Sequence, residues 1–241
     1  MKLLKTLKAA AIALPLVLGA GAAKALTFDL VLLIDGSGSI STADFNLQLN
    51  AYKNIFEQNF WSTYGAPSKY DTLRVAAWQF RTGVTQEIAW TTVTNDAEAA
   101  AVGALFSGWA RTGGGFTNMG GAINAAVAGL ALENGDRQVI DISTDGVPTT
   151  GPNAITAANT ARANGITVNA IGVGNVDATY LNNLVSGDPQ GFYLQAASFA
   201  DFDETLRRKL EREVIGVPAP ATLALLGLGL ASLGGMRRRK A

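Results

Sequence analysis

Residues 34–40 read Ile-Asp-Gly-Ser-Gly-Ser-Ile, directly after a run of apolar residues. Asp35 supplies a carboxylate, Ser37 and Ser39 supply hydroxyls, and the intervening glycines free the backbone and remove side-chain bulk. Such a loop offers oxygen to a hard cation. Mg²⁺ takes a near-octahedral oxygen shell and keeps several waters, so these groups alone are too few. Two further loops can complete the set. The glycine-rich stretch 113–117 sets the Thr117 hydroxyl at the start of a helix, and Thr144-Asp145-Gly146 sets a carboxylate at a strand end. Each has an ordinary reading on its own: a strand-to-helix turn with hydrogen-bonding serines, a helix N-cap, a turn. Their joint occurrence, at loops expected on one edge of a sheet, points to a single oxygen site built from Asp35, Ser37, Ser39, Thr117 and Asp145.

Composition narrows the chemistry. The chain has 241 residues and contains neither histidine nor cysteine. Ser-His-Asp triads, Cys-His nucleophile pairs and His or Cys zinc sites are therefore excluded. Any metal must be held by oxygen. No disulfide supports the fold, so stability must come from a core, for which residues 26–216 are long enough. A metal-dependent hydrolase would use Asp35 as nucleophile and Mg²⁺ as Lewis acid. Against it, residues 36–39 hold no second acid, no lysine lies in the loops to neutralise a leaving phosphate, and no pair of glycosidase carboxylates stands out.

These loops need elements to position them. Leu26 to Ile34 is almost continuously apolar, as expected of a strand covered on both faces. Ser41 precedes Asp44 in a capping-box-like start, and Phe45, Leu49, Tyr52 and Phe56 follow as one buried helical stripe. Thr72–Phe80 and Val84–Trp90 read as strands joined by Arg81-Thr82-Gly83, a link short enough for a hairpin with one antiparallel edge strand. Helices are expected over Asp96–Phe106, Asn118–Leu132, Asn153–Asn164, closed by Gly165, and Ala178–Val185, with a charged amphipathic helix over Phe199–Val214. Strands are expected over Gln138–Ser143, Ile166–Val173 and Gly191–Leu194. This alternation predicts an α/β fold: an open, mostly parallel, doubly wound, Rossmann-like sheet with helices on both faces and one antiparallel edge strand. Binding crevices in such sheets lie beyond the carboxyl ends of the strands, where the Asp35 and Asp145 loops fall. Asp141, an acid within a strand, is expected either to support the metal loops or, by preference, to accept a bond from a buried backbone group.

The two ends carry export signals. Residues 1–25 begin with Lys2, Lys5 and Lys8, continue through an apolar run and end at Ala23-Lys24-Ala25, an A-x-A site with cleavage expected after Ala25. At the other end, residues 221–236 carry no charge and are followed by Arg237, Arg238, Arg239 and Lys240, the pattern of a membrane segment with a cytoplasmic basic end. Pro218 and Pro220 separate it from the preceding helix. The ends hold eight of the 19 basic residues and no acid, which leaves 11 basic against 19 acidic in residues 26–216. An acidic exported domain is not a nucleic-acid binder, whose footprint is basic, and is compatible with cation binding.

The tail, with Val217-Pro218, Pro220-Ala221-Thr222-Leu223 and the Arg/Lys end, resembles the PEP-CTERM sorting signal, although Ala219 stands where that signal has glutamate. The resemblance implies recognition by an exosortase at the inner membrane, removal of the tail and release to the cell surface or matrix, so that the membrane anchorage over 217–241 is transient. The central domain, 26–216, resembles a von Willebrand factor A domain. Asp35, Ser37 and Ser39 match the first loop of its metal-ion-dependent adhesion site, Thr117 the second and Asp145 the third. The resemblance implies that the serines and threonine touch a divalent cation, that the aspartates act through water, and that a partner's acidic group completes the shell. Arg137 to Gly146 and the Phe199–Leu210 end resemble more closely a bacterial branch of undefined function, and family resemblance further implies that the last helix shifts when ligand binds.

The expected function is therefore an exported, non-enzymatic adhesion or interaction module that holds Mg²⁺, with Mn²⁺ or Ca²⁺ as alternatives. Its expected partner is a protein or polysaccharide ligand offering a carboxylate. The competing readings are the metal-dependent hydrolase and a structural matrix component in which the metal is only a fold staple.

Overall fold

The computed structural model describes residues 24–111 and 114–215. The Ala23 side of the cleavage site and the whole sorting tail, including Val217, Pro218, Pro220 and Arg237–Arg239, lie outside these residues. Among the described residues, no helix is long and apolar enough to cross a membrane.

Six strands form one sheet: β1 (Thr27–Asp35), β2 (Thr72–Phe80), β3 (Val84–Val93), β4 (Arg137–Thr144), β5 (Thr167–Val173) and β6 (Tyr193–Ala196). Their order is β3-β2-β1-β4-β5-β6, and only the β2–β3 pair is antiparallel. The short Arg81-Thr82-Gly83 link thus makes the expected hairpin, and β3 runs three residues beyond its expected end at Trp90. The last strand lies two residues later than expected.

Strand β1 is central and buries both of its faces. Phe28, Leu30, Leu32 and Ile34 enter one core, with Phe45, Tyr52 and Phe56 of helix α1 (Thr42–Glu57), helix α2 (Asp96–Leu105), and Phe202 and Leu206 of helix α6 (Phe202–Leu210). Val31 and Leu33 enter the other, with helices α3 (Met119–Leu130), α4 (Ala154–Ala163) and α5 (Ala178–Val185). The period of two along a strand makes both cores from one apolar run. The chain runs outward from β1 in both directions, to β2 and to β4, so the carboxyl ends of β1 and β4 flank a topological switch point.

Local signals set the helix starts. The Ser41 hydroxyl accepts a bond from the Asp44 N–H at 3.1 Å and donates to its carboxylate at 2.7 Å, capping α1. Gly165 takes φ +77° after α4, where a side chain would be strained. The expected charged helix over Phe199–Val214 is three pieces: a 3₁₀ turn at Phe199–Asp201, α6, and a π turn at Glu211–Ile215.

Helix α3 approaches the loop before α4 so closely that a Cβ on Gly120 would lie 2.0 Å from the Pro152 carbonyl oxygen. The obstacle is backbone, which cannot rotate away. Gly120→Ala is expected to lower the unfolding free energy by about 1–3 kcal/mol, the usual cost of overpacking, measured by denaturant titration.

Asp141 corrects a sequence expectation. It is fully buried in β4, and neither the metal loops nor a backbone donor engages it. Its partner is the ammonium of Lys209 on α6, itself fully buried, which also donates to Glu213 at 2.6 Å.

Candidate metal centre

Asp35 ends β1 and is fully buried. One carboxylate oxygen accepts the Ser37 N–H at 2.8 Å, and the other accepts the Thr144 hydroxyl at 2.7 Å. Both bonds point into the protein, so Asp35 shapes the loop and joins it to the end of β4. The 36–40 turn is further fixed by Gly36 N–H donating to the Phe80 carbonyl at 2.8 Å. Beneath it, the Gln48 amide donates to the Asp35 carbonyl at 3.3 Å and accepts from the Ser143 hydroxyl at 2.9 Å.

The turn presents its hydroxyls together. Ser37 and Ser39 place their Oγ atoms 3.3 Å apart, and Ser39 donates to Asp145 Oδ1 at 2.7 Å across 106 residues of chain. The first and third loops thus meet in one row of oxygens. The second loop is laid against the first by Gly38 N–H donating to the Gly115 carbonyl at 2.9 Å. A Cβ at position 38 would stand 3.0 Å from that carbonyl oxygen, so glycine there permits the approach. Thr117 is 6% exposed. Its N–H donates to the Thr149 hydroxyl at 2.9 Å, and Thr149 N–H returns to the Thr117 carbonyl at 3.0 Å. Thr117 does not cap helix α3, because Asn118 does so by accepting from Gly121 N–H at 3.0 Å. The Thr117 side chain is thereby released from the ordinary role its position implies.

Burial raises the pKa of Asp35 to about 6, against the lowering effect of the Thr144 and Ser37 bonds, and burial also raises that of Asp145. Two carboxyls that are costly to ionise are what a bound dication would relieve, by placing positive charge beside them. Among the described residues, no three acidic side chains gather into a carboxylate cage. The end of β1 and the loops after β1 and β4 instead offer two carboxylates and the Ser37 and Ser39 hydroxyls, and the loop before α3 offers that of Thr117. That donor set fits a hard cation whose remaining positions go to water and an outside ligand.

The structure also shows supporting residues that sequence reading missed. Thr144 fixes Asp35, Gln48 and Ser143 brace its carbonyl, and Arg111 donates to the Ser37 carbonyl at 2.8 Å. Gln48 carried a signal: it is a polar residue on the buried stripe of Phe45, Leu49 and Tyr52. Arg111 carried none, since its role depends on a contact 74 residues away.

Solved structures share the fold. Proximal thread matrix protein 1 from the mussel byssus is 17% identical with a TM-score of 0.60, over 79% of this chain and 46% of that one. One structure of that protein has a zinc-occupied metal-ion-dependent adhesion motif. The pilus adhesin SpaC from Lactobacillus rhamnosus GG is 17% identical with a TM-score of 0.59, over 81% of this chain and 31% of the adhesin. A von Willebrand factor type A protein from Catenulispora acidiphila is 15% identical with a TM-score of 0.61, over 79% and 43%. The chain spans less than half the length of each. No curated protein matches it significantly. Residues 216–240 match the PEP-CTERM protein-sorting motif, which implies export, membrane-associated sorting and processing by an exosortase. Residues 25–218 match the family described as "Protein of unknown function (DUF1194)", and the chain belongs to that von Willebrand factor A-like family.

Proposed function

We propose that this protein is an exported binding module, not an enzyme, that captures an acidic group of a partner through a divalent cation at the ends of β1 and β4. Ser37, Ser39 and Thr117 would touch the cation, and Asp35 and Asp145 would balance its charge. Mg²⁺ is the expected ion, with Mn²⁺ and Ca²⁺ as alternatives. When bound, the cation supplies a Lewis-acidic position that a carboxylate occupies. The sorting motif supports placement at the cell surface or in the extracellular matrix after the tail is removed.

The observation that carries this reading is the 2.7 Å bond from Ser39 to Asp145, which joins two distant loops through polar groups at a strand-end crevice. Isothermal titration of the full-length protein with Mg²⁺, Mn²⁺ and Ca²⁺ tests it. Wild type is expected to bind at least one ion. Ser39→Ala and Asp145→Ala are expected to weaken binding by about 10- to 100-fold, the range seen when a group supporting a metal site is lost. Wild-type affinity in both variants would falsify the assignment.

A further inference from the structure

We infer that cutting the signal peptide after Ala25 completes the fold, because the cut frees an α-ammonium on Leu26 that seats on the carboxylate of Asp71. The inference rests on the cut expected from Ala23-Lys24-Ala25 and is independent of the metal centre. It concerns the other end of the sheet, where β1 begins.

Two aspartates flank that beginning. Asp71 stands immediately before β2 and Asp136 immediately before β4, the two neighbours of β1. Leu26 N–H donates to Asp71 Oδ2 at 2.8 Å, and Asp71 N–H returns to the Leu26 carbonyl at 2.8 Å. Thr27 N–H donates to Asp136 Oδ2 at 2.9 Å, and Asp136 N–H returns to the Thr27 carbonyl at 2.8 Å. The two clamps share one plan and hold consecutive residues, one toward each neighbouring strand. Thr72 N–H adds a bond to the Leu26 carbonyl at 3.2 Å, and the Leu26 side chain packs against the core that holds Phe28. Ala25, one residue earlier, is exposed. Among the described residues, the backbone is therefore first gripped at the residue that the expected cut makes first.

The cut changes what Asp71 holds. Hydrolysis by a signal peptidase breaks the Ala25–Leu26 peptide bond: water gives its hydroxyl to the Ala25 carbonyl carbon, and the nitrogen leaves with Leu26. Below its ordinary pKa of about 8 that nitrogen takes up a proton and becomes an ammonium. An uncharged amide donor facing a carboxylate at 2.8 Å thus becomes a charged donor at the same place. Among the described residues, no lysine or arginine forms an ion pair with Asp71 before the cut. Arg74, on the adjoining strand β2, is committed to Asp29 at 2.7 Å and to Glu133 at 2.5 Å. Lys24 pairs with Asp136 at 2.5 Å, and it leaves with the signal. Cleavage therefore exchanges the ammonium of a long, exposed side chain for one on a backbone nitrogen that the Leu26 clamp holds in place. A flexible surface lysine loses much of its ion-pair energy to the entropy of ordering its side chain, and the clamped terminus does not.

The test uses the full-length chain exported from a bacterial host by its own signal, so that the host's peptidase makes the cut. Intact mass and N-terminal sequencing read its position, and Leu26 is expected as the first residue. The α-amine is then labelled with a pyridine aldehyde selective for N-terminal amines, which reacts only with the unprotonated form. At about pH 7.5 wild type is expected to react about three- to tenfold more slowly than Asp71→Asn, because a facing carboxylate keeps the amine protonated. At about pH 10, where both amines are mostly free base, the two rates are expected to agree. Asparagine keeps an oxygen acceptor, so a purely hydrogen-bonding role for Asp71 would leave the rate unchanged. Asp71→Glu, which keeps the charge, is expected to stay nearer wild type. Wild type alone gives a further reading: Asp71 is exposed, so added salt is expected to screen the pair and speed labelling relative to a free peptide of the same first residues. Equal rates for wild type and Asp71→Asn at about pH 7.5, or a wild-type rate that salt leaves unchanged, overturn the inference. A faster Asp71→Asn rate at both pH values also overturns it, because the strand end would then have come loose. A first residue other than Leu26 overturns the cut itself, and the inference with it.

Discussion

Replacing Lys209 by methionine is expected to cost about 3–5 kcal/mol of unfolding free energy at neutral pH. Lys209, Asp141 and Glu213 are all fully buried. Lys209 is the cation that both acids share, and no other donor reaches either oxygen of Asp141 or the second oxygen of Glu213. Methionine keeps most of the volume and removes the charge, leaving two carboxyls in an apolar interior. Chemical unfolding measures the loss. The combined Asp141→Asn, Lys209→Met, Glu213→Gln variant separates charge from packing, because removing all three charges is expected to restore much of the stability. A combined variant as unstable as Lys209→Met alone would assign the loss to packing.

The same cluster gives the second large effect, and its sign runs against intuition. Burial is the main cause that raises the Asp141 pKa, to about 7; Lys209 opposes it, and Glu213 adds to it. The groups facing Asp141 are Lys209 on α6, Glu213 on the π turn that follows, and Tyr52 on α1, whose phenol is itself pushed up by burial and then by the Asp141 charge. Asn169 on β5 binds the Glu213 carboxylate at 2.7 Å and carries no charge. A carboxyl whose folded pKa lies above its unfolded value contributes its stability fully below about pH 4 and loses it as pH rises through about 7. Wild type should therefore weaken between about pH 4 and 7, by up to a few kcal/mol from this group.

Asp141→Asn mimics the protonated form and leaves Lys209 paired one-to-one with Glu213. The variant is expected to match wild type near pH 4 and to exceed it at pH 7 and above. Asp35 adds to the wild-type slope in metal-free protein, since its pKa is also raised. The informative quantity is thus the difference between the two proteins, both measured in chelator. A difference that stays constant from about pH 4 to 8 would remove Asp141 as its source.

The fold was legible because its main signals are local. The run before Asp35 reads as a doubly buried strand because side chains alternate between two cores, both apolar here. The β2–β3 hairpin follows from a link too short for a crossover. The candidate metal loops were legible as loops, since Asp35, Ser37, Ser39, Thr117 and Asp145 fall at strand and helix ends. What holds them was not. Arg111 reaches Ser37, Thr82 reaches Phe116 and Thr144 reaches Asp35 only after the sheet has assembled, and no periodicity encodes such pairs. Asp141 was misread for the same reason. A polar residue in a buried strand announces that it needs a partner, and its sequence neighbours do not say that the partner is a lysine on the last helix.

That lysine also has a mechanical meaning. The described chain ends at Ile215, two residues after Glu213, and the sorting motif begins at residue 216. A pull applied through the tail while the protein is held at the membrane would reach the π turn first and α6 next. There it would meet Lys209 clasped to Asp141 in β4, directly beside the central strand. To peel the last helix away, the force must drag an ammonium and two carboxylates apart inside the apolar core, where separated charges are most costly. The cluster is thus a rivet between tether and sheet, one that fastens the strand leading into Asp145 to the segment that the sorting motif follows.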